Sequence, residues 1–385
     1  MKCSFKVSLL AAATLSVGIG TLGWSMGGDG NSGNNDNHGG YVQTNLVADD
    51  NTKLPPGLQA AHQDPTLLNP WGIASFPSSP FWINDNGSGI SALYLGDGTG
   101  VGGQTAAAAV TVPTPNGTGT SAPTGIVANT SLGFPETNDG QPALFIFATE
   151  DGTIAAWNLQ DGLPTSPPSH SAELEIDNST QGCANGSVYK GLALGTNAQG
   201  AFLYATNFRC GTVDVFGPGK FSQTTLSGNF HDSHIPAGFA PFGIANVDGN
   251  LVVTYAKQND MKHDDVAGPG NGFVDIFDTN GNLIERFASG GKLNSPWGIA
   301  QAPFNFGRFS NDLLIGNFGN GRINAFERNG DFDGQLKDPS HNTIVIDGLW
   351  SLIFGGAAGS DPGTLYFTAG PNHEQDGLFG SLTPH

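Results

Sequence analysis

Apolar and polar residues alternate over short stretches throughout the chain, and one such stretch occurs twice. Residues 203–216 read LYATNFRCGTVDVF, and residues 313–326 read LLIGNFGNGRINAF. Laid over each other without gaps, the two stretches align Asn207 with Asn317. Each begins with apolar and β-branched residues, bends at a polar segment that contains glycine, and continues as an alternating strand. This pattern predicts a β-hairpin.

The same hairpin pattern recurs in four further places. The copies occupy residues 81–94, 147–157, 251–257 with 272–277, and 365–370 with 377–382. A second short pattern, such as PWGIA or PFGIA, precedes each hairpin and begins at residues 70, 123, 189, 241, 296 and 349. Repeated units of three or four short strands, without helical periodicity, are typical of a β-propeller. The sequence therefore predicts an all-β fold, a six-bladed β-propeller of four-stranded blades.

The fourth strand of each blade is expected between consecutive hairpins. The candidates are residues 106–112, 170–176, 223–230, 283–289 and 343–347. The sixth unit has no such segment because the chain stops at His385, but residues 41–49 offer one at the other end. A ring closed by this N-terminal strand leaves no edge strand open to foreign pairing. Glycines at positions 72, 125, 191, 243 and 298 would let the inner strands approach one another closely.

Several longer stretches resemble an uncharacterised family of secreted bacterial proteins. They read TNLVADDNTKLPPG, DPTLLNPWGIASFPSSPFWINDNGSGISALY, VYKGLALG with LYATNFRCGTVDVF, and SPWGIA. The resemblance extends over nearly the whole chain after residue 40. More distantly, the chain is similar to six-bladed propellers of the NHL-repeat and gluconolactonase type. The near family has no established activity, so the resemblance to it implies only the fold. The distant one includes metal-dependent lactonases and plain binding modules, but the sequence contains no lactonase motif to transfer residue by residue.

The N-terminal segment predicts the compartment. Residues 1–26 predict a signal peptide or an N-terminal anchor, because Lys2 and Lys6 precede an apolar run rich in Ala, Leu and Gly. The absence of a clear small-x-small cleavage site in the sequence leaves the anchor open. Residues 27–40 predict a disordered linker rich in Gly and Asn, and residues 41–385 predict the propeller. The protein is therefore expected to be secreted or periplasmic.

The charge balance restricts the partners. The chain carries 14 Lys and Arg against 33 Asp and Glu, a net charge of −19. Binding of phosphates requires a basic surface, so we expect no nucleic-acid partner and no membrane contact beyond an N-terminal anchor. A monomer is expected, with an unknown small molecule, glycan or protein as its partner.

Two cysteines remain besides Cys3 of the leader, namely Cys183 and Cys210. In a four-stranded blade, the loop that leads into the first strand and the bend between the second and third strands lie on the same face. Cys183 falls in this incoming loop of the third unit, and Cys210 falls in the bend. An exported pair placed in this way predicts a disulfide. Two free thiols are the alternative.

All six bends and all six incoming loops share one face of the predicted ring, which is the usual position of a ligand site in a closed β-fold. The predicted site residues are Trp71, Asp85, Glu150, Lys190, Asn207, Phe242, Trp297, Asn317 and Trp350. The candidate metal ligands among them are Asp85, Glu150, Asn207 and Asn317. All four offer oxygen atoms, which a divalent cation such as calcium prefers. The alternatives are that the Asn and Asp side chains cap their own bends and that the aromatic rings pack between blades.

Two acidic segments outside this set are predicted to be ordinary loops. Residues 257–271 form an insertion within the fourth hairpin. Its Asp260, His263, Asp264 and Asp265 could bind a cation, but their spacing matches no known cation-loop signature. Residues 328–336 resemble a calcium loop through Asp331 and Asp333, but the closing Glu is missing, so a turn is expected.

The sequence contains no nucleophile elbow, no zinc-protease motif and no Cys/His metal spacing. Three functions therefore remain open. The first is an exported binding or interaction protein that uses the loop-rich axial face for a small ligand, glycan or peptide. The second is a divalent-metal-dependent hydrolase of lactonase type. The third is a structural cell-surface module.

Overall fold

The computed structural model describes residues 39–102 and 106–385. The predicted leader and most of the predicted linker lie outside these residues. The described part is built from six sheets, which are the six blades of a β-propeller, and their strands are antiparallel except for one short added strand. The predicted fold class is thereby confirmed.

The strands follow one another in chain order. Two strands precede the first blade, β1 (Tyr41–Ala48) and β2 (His62–Gln63). Blade one contains β3 (Pro70–Ala74), β4 (Phe81–Asp85), β5 (Ile90–Tyr94) and β6 (Ala109–Thr111). Blade two contains β7 (Pro123–Ala128), β8 (Phe145–Thr149), β9 (Thr153–Trp157) and β10 (Glu173–Asp177). Blade three contains β11 (Tyr189–Asn197), β12 (Gly200–Asn207), β13 (Thr212–Phe216) and β14 (Gln223–Thr224).

The second half of the ring repeats this arrangement. Blade four contains β15 (Phe239–Val247), β16 (Asn250–Lys257), β17 (Phe273–Phe277) and β18 (Leu283–Ser289). Blade five contains β19 (Pro296–Gln301), β20 (Leu313–Asn317), β21 (Ile323–Phe326) and β22 (Phe332–Gln335). Blade six contains β23 (Leu349–Phe354), β24 (Leu365–Ala369) and β25 (Leu378–Pro384).

Helices are short in the described residues. They comprise α1 (Pro371–Glu374) and the 3₁₀ helices Asn51–Lys53, Leu159–Asp161, Gly307–Phe309 and Phe318–Asn320. Within residues 39–102 and 106–385, none has the length and hydrophobicity needed to cross a bilayer.

The N-terminal strand closes the ring, as the sequence predicts. Strand β1 pairs antiparallel with β25, from Tyr41 opposite Pro384 to Ala48 opposite Leu378. It is therefore the fourth strand of blade six, and the two-residue strand β2 adds to its outer side in parallel orientation. The first and last parts of the propeller are joined by a full strand ladder.

Close contact between the inner strands explains the regularly placed glycines. A Cβ atom at Gly243 would lie 2.2 Å from the Trp297 carbonyl oxygen of blade five, and one at Gly298 would lie 2.5 Å from the Trp350 carbonyl oxygen of blade six. Threonines of the second strands add hydrogen bonds across the same contacts. Thr254 Oγ1, for example, donates to the Pro296 carbonyl oxygen at 2.6 Å. Each blade is thus tied to the next near the axis.

One predicted strand is wrong. The fourth strand of blade five was expected at residues 343–347, but the structure places it at Phe332–Gln335. Residues 328–331 form a tight turn, in which Asp331 N donates to Asn329 Oδ1 at 3.0 Å, so the chain pairs back onto β21 at once. Ile344 and Ile346 are nevertheless buried, because they belong to a hydrophobic cluster with Ile323 and Leu352 of blades five and six.

The predicted disulfide is present. Cys183 and Cys210 are bonded, with their Cα atoms 5.6 Å apart. The bond links the incoming loop of blade three to the bend between β12 and β13. A disulfide is compatible with an oxidising, exported environment.

Candidate functional site

An aromatic cluster fills the axis of the propeller on the face of the bends. Its large members are Trp71, Phe208, Phe242, Trp297, Phe318 and Trp350. Trp71 stacks on Trp350 with ring centroids 3.4 Å apart, and Trp297 meets both rings edge-on. We call this cluster the aromatic plug. Trp71 and Trp350 are only 2% and 1% exposed, so these rings pack against one another and do not form an open wall.

Four of the six rings of the plug come from one repeated sequence position, and Phe208 and Phe318 come from the bends after β12 and β20. This position is the residue before the axial glycine, or before its equivalent in blade six, on the first strand of each blade. This position holds Trp71, Thr124, Lys190, Phe242, Trp297 and Trp350 in blades one to six. Five of these side chains are neutral, and Lys190 is the exception. The repeat thus places a single ammonium group among neutral side chains, four of which are large aromatic rings.

Lys190 is almost fully buried and has a charged partner. Its ammonium group pairs with the carboxylate of Glu150 from the bend of blade two. It also lies over the ring of Trp71, 4.9 Å from the centroid, and 5.9 Å from the centroid of Phe208. The faces of aromatic rings attract cations, and a buried charge requires a partner. Glu150 and the plug together hold the ammonium group in place.

A network of polar side chains extends from this ion pair across neighbouring blades. Glu150 Oε2 accepts from Asn86 Nδ2 at 2.9 Å. Asn69 Nδ2 donates to Glu374 Oε1 at 3.1 Å and to Asn86 Oδ1 at 3.3 Å. Asn69 Oδ1 in turn accepts from the indole nitrogen of Trp350 at 3.0 Å. Burial raises the pKa of Glu374 above its usual range. The plug is therefore covered by a layer of hydrogen-bonded groups.

The insertion of blade four completes this layer. His263 Nδ1 lies 2.7 Å from Asp264 Oδ1 and 4.0 Å from Glu150 Oε1, and Asp264 Oδ1 lies 3.7 Å from the Lys190 ammonium nitrogen. The hydrogen bond with His263 holds the pKa of Asp264 at about 2. Asn259 Oδ1 accepts from the backbone of His263 at 3.1 Å and so fixes the loop. We define the mouth as Asn69, Asn86, Glu150, Lys190, His263, Asp264 and Glu374.

Blades one, two, three, four and six all contribute to the mouth. The sequence interpretation included Glu150 and Lys190 but missed Asn69, Asn86 and Glu374, and it assigned the insertion with His263 and Asp264 to an ordinary loop. The sequence did contain a signal for His263 and Asp264, because only the fourth hairpin is interrupted by a long polar segment. Glu150, His263 and Asp264 each bring one potential ligand atom within 4.8 Å of the others, so these three could hold a metal ion.

The two amides of the repeated phrase hydrogen-bond within their own blades. Asn207 Oδ1 accepts from the backbone of Cys210 at 3.3 Å, and Asn317 Nδ2 donates to Asn320 Oδ1 at 3.1 Å. Each also accepts from a backbone N–H of the incoming loop of its blade. These contacts are the bend-capping alternative of the sequence interpretation. Convergence of both amides with Asp85 and Glu150 on one cation stays a prediction.

Asp85, a further predicted ligand, ends β4 and is fully buried. Neither of its carboxylate oxygens has a hydrogen-bond partner among the described residues. Burial, with a smaller contribution from the nearby charge of Asp64, raises its pKa well above the usual range. Burial therefore favours the uncharged form of this carboxyl group in the folded protein.

This burial predicts a pH-dependent effect of Asp85→Asn. In the unfolded chain Asp85 ionises above about pH 4, whereas in the folded protein it stays protonated to higher pH. Its contribution to stability is therefore most favourable below pH 4 and is lost as the pH rises. We expect Asp85→Asn to raise the free energy of unfolding at pH 7 by on the order of 1 kcal/mol and to change it little at pH 4. Urea unfolding at both pH values measures this, and an equal effect at both would contradict it.

Searches for similar proteins gave relatives from a virus. No protein-family model matches the chain. "Uncharacterized protein R648" of Acanthamoeba polyphaga mimivirus is 32% identical over 332 residues, which cover 84% of this chain and 77% of the relative. "Uncharacterized protein L690" of the same virus is 32% identical over 328 residues, which cover 84% of this chain and 82% of the relative. Both are viral, so they lend no support to a bacterial, secreted family.

Two solved structures that are similar to this chain are remote from it in sequence. Virginiamycin B lyase from Staphylococcus aureus is 15% identical, with a TM-score of 0.43 over 90% of this chain and 99% of its own. A gluconolactonase from Xanthomonas campestris is 13% identical, with a TM-score of 0.46 over 83% of this chain and 86% of its own. Likenesses at this level carry no information about function. The two mimivirus proteins are 32% identical to this chain over 84% of its length, and the chain belongs to the same family as these two proteins.

Proposed function

We propose that the protein is an exported binding protein and that its mouth holds a small, hydroxyl-rich ligand, a glycan above all. The proposal is carried by one observation. Side chains of five blades converge over the aromatic plug, and they include both hydrogen-bond donors and acceptors around the ammonium group of Lys190. A polar layer of this kind on a closed β-fold suits a ligand site. The disulfide supports the exported location.

The charges of the mouth favour a hydroxyl-rich ligand over an ion. Glu150, Asp264 and Glu374 offer carboxylates, which repel an anion. The ammonium group of Lys190 lies beside two of these carboxylates and opposes a divalent cation. A hydroxyl group both donates and accepts, so it can bond a carboxylate and an ammonium or imidazole group together. Asp264 is the accessible acceptor, because its side chain is 61% exposed.

Binding to a printed glycan array, followed by titration of the best glycan, tests this proposal. We expect Asp264→Asn to weaken binding about tenfold, since a hydrogen bond to a charged group contributes about 1.5–3 kcal/mol and 1.4 kcal/mol corresponds to a factor of ten. Asp260→Asn is the matched control, because Asp260 is an exposed residue of the same insertion outside the mouth. Failure of the parent protein to bind any glycan, or an equal loss in both variants, would refute the proposal.

A metal-dependent hydrolase is the second candidate, and it is favoured by the proximity of Glu150, His263 and Asp264. A divalent ion at this position would have to displace the ammonium group of Lys190 from Glu150. Hydrolysis of a simple lactone, lost on addition of EDTA and in the variant His263→Ala, would identify this function. The aromatic plug, which closes the axis beneath the mouth, is the observation that suits the third candidate, a structural module.

A further inference from the structure

A second group of acidic side chains lies on the other face of the ring, at the outer part of blade two. Glu136 and Asp139 belong to the connection between β7 and β8, and Asp161 belongs to the connection between β9 and β10. Both connections leave the blade on the face opposite the mouth. Glu175 lies on the outermost strand β10. Four carboxylates that are distant along the chain are thus gathered beside one blade.

The carboxylate oxygens of this group differ in how they are bonded. Asp161 Oδ1 accepts from Asn138 Nδ2 and Oδ2 from the backbone of Asn158, each at 2.9 Å. Glu175 Oε1 accepts from the backbone of Thr137 at 3.0 Å. In contrast, both oxygens of Glu136 and Oε2 of Glu175 are buried and have no hydrogen-bond partner among the described residues.

Glu136 is the most unusual member. It is 1% exposed, and its carboxyl group lies within hydrogen-bonding reach of Asp161, with the charges of Asp139 and Glu175 also nearby. Two carboxylates are acceptors only and cannot bond each other without a proton. No Lys, Arg or His within residues 39–102 and 106–385 forms an ion pair with any of the four. Buried polar atoms without partners require an explanation, such as an ion or a proton.

We propose that Glu136, Asp161 and Glu175 form a calcium site that fastens the outer edge of blade two. Calcium takes six to eight oxygen ligands and accepts bidentate carboxylates. Glu136 provides two unpartnered oxygens, Glu175 provides one, and Asp161 retains free lone pairs on its oxygens. The three carboxylates are not preassembled as closely as the potential ligand atoms of the mouth. Binding therefore requires these three side chains to move closer together than they are in this structure.

Calcium suits this position better than magnesium or zinc. Zinc prefers nitrogen and sulfur ligands, and the group contains only oxygens. Magnesium demands near-ideal octahedral geometry, whereas calcium tolerates irregular arrangements of carboxylates. Closing the site ties the two connections to strand β10. Calcium should therefore stabilise the folded protein, because a ligand that binds only the native state raises its stability.

Calorimetric titration of the full chain with calcium chloride, after treatment with EDTA, tests the proposal together with thermal unfolding. We expect one calcium ion per chain and a higher Tm with calcium. Glu136→Gln removes one negative charge without changing the shape of the side chain. It should weaken calcium binding at least tenfold and abolish the calcium-dependent rise in Tm. The same variant should have a higher Tm than the parent when calcium is absent, because a buried carboxylate has been removed.

Two further variants serve as controls. Glu285→Gln changes the same charge on an exposed residue of the outer strand of blade four and should leave calcium binding unchanged. Glu150→Gln removes the carboxylate of the mouth and should also leave it unchanged. No heat and no change in Tm at millimolar calcium would overturn the proposal. Calcium binding that survives Glu136→Gln but is lost in Glu150→Gln would place the ion at the mouth and would overturn it as well.

Discussion

A chain that begins at residue 51 is expected to lose most of its folding stability. Strand β1 buries Tyr41, Leu46 and Val47, and each large apolar side chain that is buried contributes about 1.5–3 kcal/mol. A domain has a net stability of only about 5–15 kcal/mol. Loss of β1 therefore removes an amount comparable with the whole, and it also exposes the edge of β25.

Two further contacts strengthen this expectation. The hydroxyl group of Tyr41 donates to the Phe306 carbonyl oxygen at 3.0 Å, which ties β1 to blade five. Asp49 Oδ1 accepts from the backbone of Gly377 at 3.0 Å, just before β25 begins. Thermal unfolding followed by circular dichroism measures the effect. A chain that begins at residue 39 is the control and should unfold as the full chain does.

A pair of substitutions tests the contribution of β1 without shortening the chain. Val47 and Val42 lie on the same strand, but Val47 is 0% exposed and Val42 is 37% exposed. Val47→Asp should destabilise the protein severely, and Val42→Asp should have little effect. Equal unfolding temperatures for the chains beginning at residues 39 and 51 would show that the ring does not depend on β1.

The repeats made the fold predictable because each copy fills the same place in a blade. Nearly every hairpin is preceded by a glycine at the same inner position. Without a side chain there, the inner strands of neighbouring blades can pack closely around a common axis. Gly243 illustrates this, since its backbone contacts the carbonyl group of Trp297 in the next blade. The position of β1 was predictable for the same reason, because the sixth blade lacks a fourth strand and the N-terminal segment can supply it. The prediction failed at residues 343–347, where Ile344 and Ile346 are buried although the segment does not join the ladder.

The candidate site was harder to predict because a repeat fixes the backbone and not the direction of each side chain. Asn207 suits a bend equally well whether it faces a ligand or its own backbone, and the structure shows bonds to its own blade. The mouth depends instead on departures from the repeat. Lys190 replaces an aromatic or small neutral residue, and His263 lies in an insertion that other blades lack. The partner of both is Glu150, on a different blade, and no local spacing could reveal such a contact.

Removal of the disulfide is expected to lower the free energy of unfolding by about 3 kcal/mol. Cys183 and Cys210 are separated by 27 positions, and the loss of chain entropy on closing a loop of this size in the unfolded chain corresponds to about that value. The double variant Cys183→Ser/Cys210→Ser should show this loss in guanidinium unfolding. The bend itself should persist, because Asn207 still accepts from the backbone of residue 210 and from Val188.

Reductant provides the matched comparison for this disulfide. The parent protein with dithiothreitol should unfold at the same guanidinium concentration as the double variant, whereas the variant should not respond to dithiothreitol at all. Since neither cysteine belongs to the mouth, glycan binding by the folded variant should match that of the parent. An unfolding midpoint of the parent that does not change on reduction would show that the bond contributes nothing to stability. A midpoint that falls in both proteins would show that dithiothreitol acts elsewhere.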